Sequence, residues 1–304
     1  MQLTTQTVRA HYRTLRTLEL PFHSGAAWRG ALKSAADASH PELRSAFFGM
    51  GTNGALTSDE PRPWIPVLEE PRRRRLPKGA QLTLELRILG PVFETYRNQL
   101  EGLFARAGAR LGNRCDETTP FHHAPPTPSL KFLCADFDCE PRHNLSLWVD
   151  QGNEEQVAVD FITPAHLRVD RKPIDRPSFL QLVRVAARRL GKLARLYGKW
   201  TRADEEASRF ILQSVASVRT THMSLRPLMW SVSIESGEER RRARGVVGSA
   251  IYVGPVQAAR SLLRSAELLH LGRDITYGAG RIHVHSNVVP SVHPSRSFRR
   301  TSPG

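Results

Sequence analysis

The chain has little cysteine. Three cysteines in 304 residues make no disulfide framework. That usage fits a reducing, cytoplasmic compartment. No apolar run approaches the ~18 residues of a membrane-spanning segment, so no membrane association is expected. The opening MQLTTQTVRAHYRT has no apolar core of the kind that marks a secretory leader. Acidic residues are also scarce: 29 Asp and Glu face 44 Lys and Arg, a net charge of +15. An excess of that size points to a polyanionic partner, and without an anchor nucleic acid is the better candidate. Hydrophobic residues at 40% and charged residues at 24% describe a soluble globular chain. The length suits about two domains.

Periodicity predicts two mixed halves. In the first, strands are expected at residues 3–12, 64–68, 81–89 and 130–137, with helices at 25–38 and 93–109. Leu82, Leu84, Leu86 and Ile88 alternate, so they share one face of a strand. Ser39 and Glu42 have the spacing of a capping box that opens a short second helix. The order β-α-β-β-α-β is that of a ferredoxin-like unit. The second half repeats it, with strands at 156–167, 227–234, 246–253 and 282–286 and helices at 177–196 and 254–269. A further helix at 203–218 reads as an insertion. The expected class is α+β: two tandem ferredoxin-like (RRM-like) domains, each an antiparallel sheet with helices on one face. Residues 1–150 and 151–286 would be the domains. Residues 287–304, rich in Ser, Pro and Arg, read as a disordered tail. Residues 60–79, with Arg72 to Arg75, and the proline-rich 120–129 read as loops.

Charge is concentrated in stripes. Arg184, Arg188, Lys192, Arg195, Lys199 and Arg202 recur every three or four residues, which puts them on one helix face. No acid lies between Asp175 and Asp204. A plain solvated face usually carries both signs, so phosphate contact is the preferred reading. Arg240, Arg241 and Arg242 open a second cluster, either a hairpin tip that grips RNA or only a charged loop. Gly272, Gly278 and Gly280 lie between a predicted helix and strand, beside Arg273 and Arg281. Such glycines can form a turn, or bring backbone close to a phosphate.

Other patterns carry less. GMGTNG at 49–54 matches G-x-G-x-x-G but neither follows a clear strand nor opens a helix, so nucleotide binding is rejected. Cys134, Cys139 and His143, with Cys115, His122 and His123 upstream, have spacing that could suit zinc. They straddle a predicted strand, and buried free cysteines are the plainer expectation. No metal and no cofactor is expected.

Several segments resemble the RAMP superfamily, and within it the CRISPR repeat-processing endoribonucleases, CRISPR-associated family six. The loop carried by His270, Gly272, Thr276, Gly278, Gly280 and Arg281 is similar to that family's C-terminal glycine-rich loop. DFITPAHLRVD at 160–170 resembles its F-x-T-P strand, and the helix after it holds Arg188, Arg189, Leu193, Tyr197 and Gly198. LPFHSGAAWRGALKSA resembles its N-terminal segment through Gly25, Arg29, Gly30 and Ala31. The resemblance implies two ferredoxin-like domains and metal-independent cleavage of CRISPR precursor RNA within the repeat. There the 2′-hydroxyl attacks the adjacent phosphate, and the product hairpin can stay bound.

Such chemistry needs a base, an acid and a steadying cation. In many relatives a histidine in or just after the first helix is the base. His40 fits that placement first and His23 second, with Arg29 and Lys33 as cations. The glycine-rich loop and both arginine clusters become candidate RNA contacts. The expected partners are a repeat RNA hairpin and other CRISPR effector subunits. Two readings compete: a RAMP-fold subunit that holds guide RNA without cutting it, and a basic protein that binds DNA generally.

Overall fold

The computed structural model describes residues 1–21, 23–38, 41–49, 60–68, 74–114, 128–138, 140–149, 155–233 and 240–286, without the side chains of 112–114, 231–241 and 286. The first half runs β1 (Leu3–Thr14), β2 (Leu18–Leu20), α1 (Gly25–Asp37), α2 (Pro41–Phe48), β3 (Trp64–Val67), β4 (Arg74–Leu76), β5 (Gln81–Leu89), α3 (Gly90–Arg114), β6 (Leu130–Asp136) and β7 (His143–Leu145). The second runs β8 (Gln156–Ala165), β9 (Arg168–Val169), β10 (Lys172–Pro173), α4 (Phe179–Tyr197), α5 (Arg202–Ser214), β11 (Arg219–Ser233), β12 (Arg240–Val253), α6 (Arg260–Leu269) and β13 (Ile282–Ser286).

The two main sheets have one topology. Their strand orders are β3-β5-β1-β6, with β7 also on β1, and β11-β12-β8-β13. In each, the first and third long strands are the central pair, which is the ferredoxin-like arrangement. All pairings are antiparallel. Val8, Ala10 and Tyr12 of β1 lie opposite Leu86, Leu84 and Leu82 of β5. All six are buried, as the alternation in β5 requires.

Small residues let the helices close on the sheets. Ala31, Ala35 and Ala36 face inward from α1. On α3, Gly108 lies over the Tyr12 ring so closely that a Cβ there would sit 2.4 Å from Cε1. Tyr12 donates its hydroxyl hydrogen to the Phe104 carbonyl at 3.1 Å. Burial without a charge partner holds that phenol protonated. In the second half, Ser178 and Gln181 form a capping box that starts α4. Its apolar stripe from Phe179 to Ala194 is buried.

The halves share a seam. Leu3, Ile65 and Leu89 of the first half belong to the core of the second. The backbone of Gln2 exchanges two hydrogen bonds with Lys199, at 3.0 and 2.8 Å. Gly198 ends α4 there because a Cβ would lie 2.2 Å from the Gln2 carbonyl oxygen.

Several expectations need correction. β11 starts at Arg219 and β12 at Arg240, well before the predicted limits. The extra residues of each strand pair with the predicted stretch of the other, Arg219 opposite Val253 and Arg244 opposite Met229, so hydrogen bonding sustains them where no apolar alternation does. Arg240 to Arg244 is therefore strand, not loop. α3 runs from Gly90 to Arg114, longer than predicted at both ends. Arg74–Leu76, inside a predicted loop, pairs with β2. α5 ends at Ser214, short of residue 218. Cys134 is exposed on β6 and not buried. Among the described residues no group of three metal-ligating side chains occurs, and no helix is long and apolar enough to cross a membrane. Ser39, His40, Cys115, His122, His123, Cys139 and the tail at 287–304 lie outside the described residues.

Gly108→Ala drives its methyl into a buried ring, so it should cost about 1–3 kcal/mol. Urea unfolding checks this, as a fall in midpoint without a change in slope.

Candidate functional site

The loop between α6 and β13 is stitched into the second half from both ends. The Leu271 N–H donates to Gly280 O at 2.7 Å, Arg273 N–H to His166 O at 3.0 Å, and Gly280 N–H to Pro164 O at 3.0 Å. Thr163 donates its hydroxyl to Gly278 O at 2.8 Å. The same hydroxyl accepts from Arg281 N–H at 2.9 Å. Ile275–Tyr277 forms a single 3-10 turn.

The glycines answer to this packing. A Cβ on Gly272 would sit 2.4 Å from the His166 carbonyl oxygen, and one on Gly280 would sit 1.9 Å from that of Leu271. A Cβ on Gly278 would meet the Leu68 side chain at 2.2 Å. All three have φ between 78° and 93°. The approach that demands glycine is thus to the protein's own atoms.

Arginines that the sequence marks only as positive charge divide into two groups. One group turns inward. Arg281 donates to Leu68 O at 2.8 Å across the seam. Arg189 donates to Leu269 O at 2.7 Å, and Arg87 donates to Glu267 O and Leu268 O at 2.9 and 3.1 Å. Burial pushes the Arg189 guanidinium down to about 9. The other group faces solvent. Arg184, Arg188, Lys192 and Arg195 line the outer face of α4, and Arg242 and Arg273 are also exposed. Arg188 donates to Arg168 O at 2.9 Å, and Arg195 pairs with Glu205 at 3.2 Å. Arg240 and Arg241 lie at the start of β12.

The first turns of α1 lie against the loop. Gly25 touches it so closely that a Cβ would sit 1.7 Å from the Tyr277 carbonyl oxygen. Arg29 places its guanidinium 4.8 Å from the centre of the Tyr277 ring and 5.9 Å from that of Phe48. Lys33, one turn on, is half-buried. His23, just before the helix, is 7% exposed. Its ring meets Trp230 edge-on, centroids 5.5 Å apart, and Nε2 is buried without a hydrogen-bond partner among the described residues. Burial pushes its pKa down to about 4, against opposing pulls from the Tyr277 backbone and the Asp274 charge.

His23 and Arg29 therefore share a junction with Gly278 and Arg281, Lys33 lies one turn further along α1, and the α4 stripe occupies that helix's outer face. Sequence reading missed three groups at the junction: Tyr277, Trp230 and the His166–Asp274 pair. His166 and Asp274 lie inside quoted segments, but 108 residues of separation hide their contact.

Residues 159–282, from β8 into β13, match the family model for the CRISPR-associated endoribonuclease Cas6. That stretch, which carries the glycine-rich loop, is what this chain shares with the Cas6 family. Solved structures agree on the fold. Thermus thermophilus Cas6 superposes with a TM-score of 0.55 at 12% identity, over 93% of this chain and 99% of that one. A Cas6 solved as a product complex gives 0.53 at 17% identity, over 92% and 100%. A chain of a partial Cas6-RT-Cas1–Cas2 complex gives 0.58 at 9% identity, over 94% of this chain and 47% of its own length. No curated protein matches by sequence. At these identities the superpositions speak for the Cas6 fold.

Buried His23 generates a prediction. Its folded pKa near 4 lies below the ordinary value of 6.5, so between the two the unfolded chain binds the extra proton. Its contribution is present above pH ~6.5 and is lost as pH falls toward 4. Wild type should lose about 2–3 kcal/mol more than His23→Gln between pH 7.5 and 4.5. Urea titrations at the two pH values measure the difference.

Proposed function

We propose that this chain cuts CRISPR precursor RNA within the repeat by attack of a 2′-hydroxyl on the adjacent phosphate. No metal ion is needed for that route. The observation that carries the reading is the seating of α1 against the glycine-rich loop, within a chain whose loop-bearing half matches the Cas6 family model. The 2′-hydroxyl loses its proton to a base, the 2′-oxygen bonds to phosphorus, and the bond to the 5′-oxygen breaks. The products are a 2′,3′-cyclic phosphate and a free 5′-hydroxyl.

His40 is the leading base, because it follows α1 directly. His23 is the second candidate. Burial keeps it neutral, but an imidazole depressed to about 4 is a weak proton acceptor. Arg29 and Lys33 supply positive charge along the same helix, with Arg29 held over the Tyr277 ring. RNA contacts are assigned to Gly272, Arg273, Gly278, Gly280 and Arg281 in the loop, to Arg184, Arg188, Lys192 and Arg195 on α4, and to Arg240, Arg241 and Arg242 on β12. Among these, the solvent-exposed arginines and lysine are the groups that a phosphate can reach. The product hairpin stays bound and passes with the protein to other effector subunits. One Cas6 has been solved as a product complex, which supports retention of the product, and a chain of similar fold has been solved within a Cas6-RT-Cas1–Cas2 complex, which supports assembly with other proteins.

Incubation with a transcript of the host's own repeats in EDTA should yield one discrete cut, ending in a 2′,3′-cyclic phosphate. Tight binding without cutting would instead identify a guide-holding subunit. Replacing Arg184, Arg188 and Lys192 together by Gln should leave the cut position unchanged. It should flatten the slope of log affinity against log salt by about 2, at roughly 0.7 for each phosphate no longer neutralised.

A further inference from the structure

His166 follows the last residue of β8 and grips the glycine-rich loop twice. Its carbonyl accepts from Arg273 N–H at 3.0 Å. Its ring Nδ1 lies 3.1 Å from Oδ2 of Asp274. One residue thus holds two successive residues of the loop, one by backbone and one by side chain. A carboxylate only accepts, so the Nδ1 of this pair carries hydrogen. That fixes the ring and leaves Nε2 as the nitrogen that can gain or lose a proton.

Nε2 has no hydrogen-bond partner among the described residues, yet it is not sealed in the interior. The side chain is 17% exposed, against 8% for Asp274. An anchoring role alone would be served by a fully buried pair. Asp274 holds its place through a left-handed backbone, φ 60° and ψ 26°, that non-glycine residues seldom adopt. Its charge also acts on His23, which is hydrogen-bonded to the backbone of Tyr277 three residues on. The carboxylate therefore addresses two histidines, one closed off at the start of α1 and one open at the end of β8. Exposed Arg273 adds a cation beside the open one.

Cleavage by a 2′-hydroxyl needs a second proton transfer, to the departing 5′-oxygen. We propose that His166, oriented by Asp274, is the general acid that delivers this proton from Nε2. The inference rests on the endoribonuclease reading above. The step balances: the base takes one proton from the 2′-oxygen, the P–O5′ electron pair goes to the 5′-oxygen, and Nε2–H gives that oxygen its proton. His166 then regains a proton from solvent. Asp274 is a positioning residue that acts through the imidazole.

A leaving group that needs no proton separates this role from a structural one. Repeat RNA is prepared with an ordinary 5′-oxygen, or with a bridging 5′-sulfur, at the cut site, and both are cut in single turnover. His166→Gln should slow the oxygen substrate about 100- to 10,000-fold and remain within about tenfold of wild type on the sulfur substrate. Asp274→Asn should show a smaller loss on oxygen with the same rescue by sulfur, and it carries the test if His166→Gln fails to fold. A wild-type rate on oxygen for folded His166→Gln overturns the assignment. So does an equal loss on both substrates with RNA affinity unchanged. If wild-type protein cuts neither RNA, the endoribonuclease reading itself falls and takes this inference with it.

Discussion

Three carbonyls at the end of α6 organise this molecule. Glu267, Leu268 and Leu269 sit where a helix leaves its last acceptors without intrahelical donors. Arg87 reaches the first two from the sheet of the N-terminal half, and Arg189 reaches the third from α4. Each guanidinium meets the negative end of the helix dipole, so charge and hydrogen bonding act together. A buried carbonyl left unpaired costs about 1–3 kcal/mol. The glycine-rich loop starts at the next residue, so its first turn is set by contacts from both halves. Arg281 closes the far end of the loop on Leu68.

From that anchor the site follows. Fixed at both ends, the loop presents Tyr277 to Gly25 and Arg29 of α1, and Asp274 to His166. The glycines serve this positioning, because each is crowded by an atom of the protein. The backbone reach toward phosphate suggested by three glycines is replaced here by reach toward neighbouring chain. The positive charge that stays outside is carried notably by the α4 stripe and Arg273.

Much of the fold is legible in the sequence, and its limits have physical causes. Alternation in β5 and the apolar stripe of α4 give those elements directly, because each buries one face. The hairpin of β11 and β12 exceeds its predicted limits, because strands paired at an edge carry polar residues on both faces. The arginines show the clearest failure. Periodicity separates Arg188 from the core, but no local pattern marks Arg87, Arg189 or Arg281 as internal donors. Their acceptors are backbone carbonyls, which every residue has. His166 and Asp274 fail for another reason: their meeting depends on the crossing of β8 and the loop, which only tertiary structure supplies.

The backbone exchange between Gln2 and Lys199 sets an order on assembly. Leu3, beside it, completes a core built almost entirely from residues after 156. On a growing chain, β1 can pair with β5 once about 90 residues have emerged and with β7 soon after, but Gln2, just before it, meets Lys199 only once α4 is made. The closing of that ~200-residue loop carries a chain-entropy cost that local pairing does not. The leading end of the chain is thus among the last parts to be seated, and the two halves lock into one body only when synthesis is well into the second.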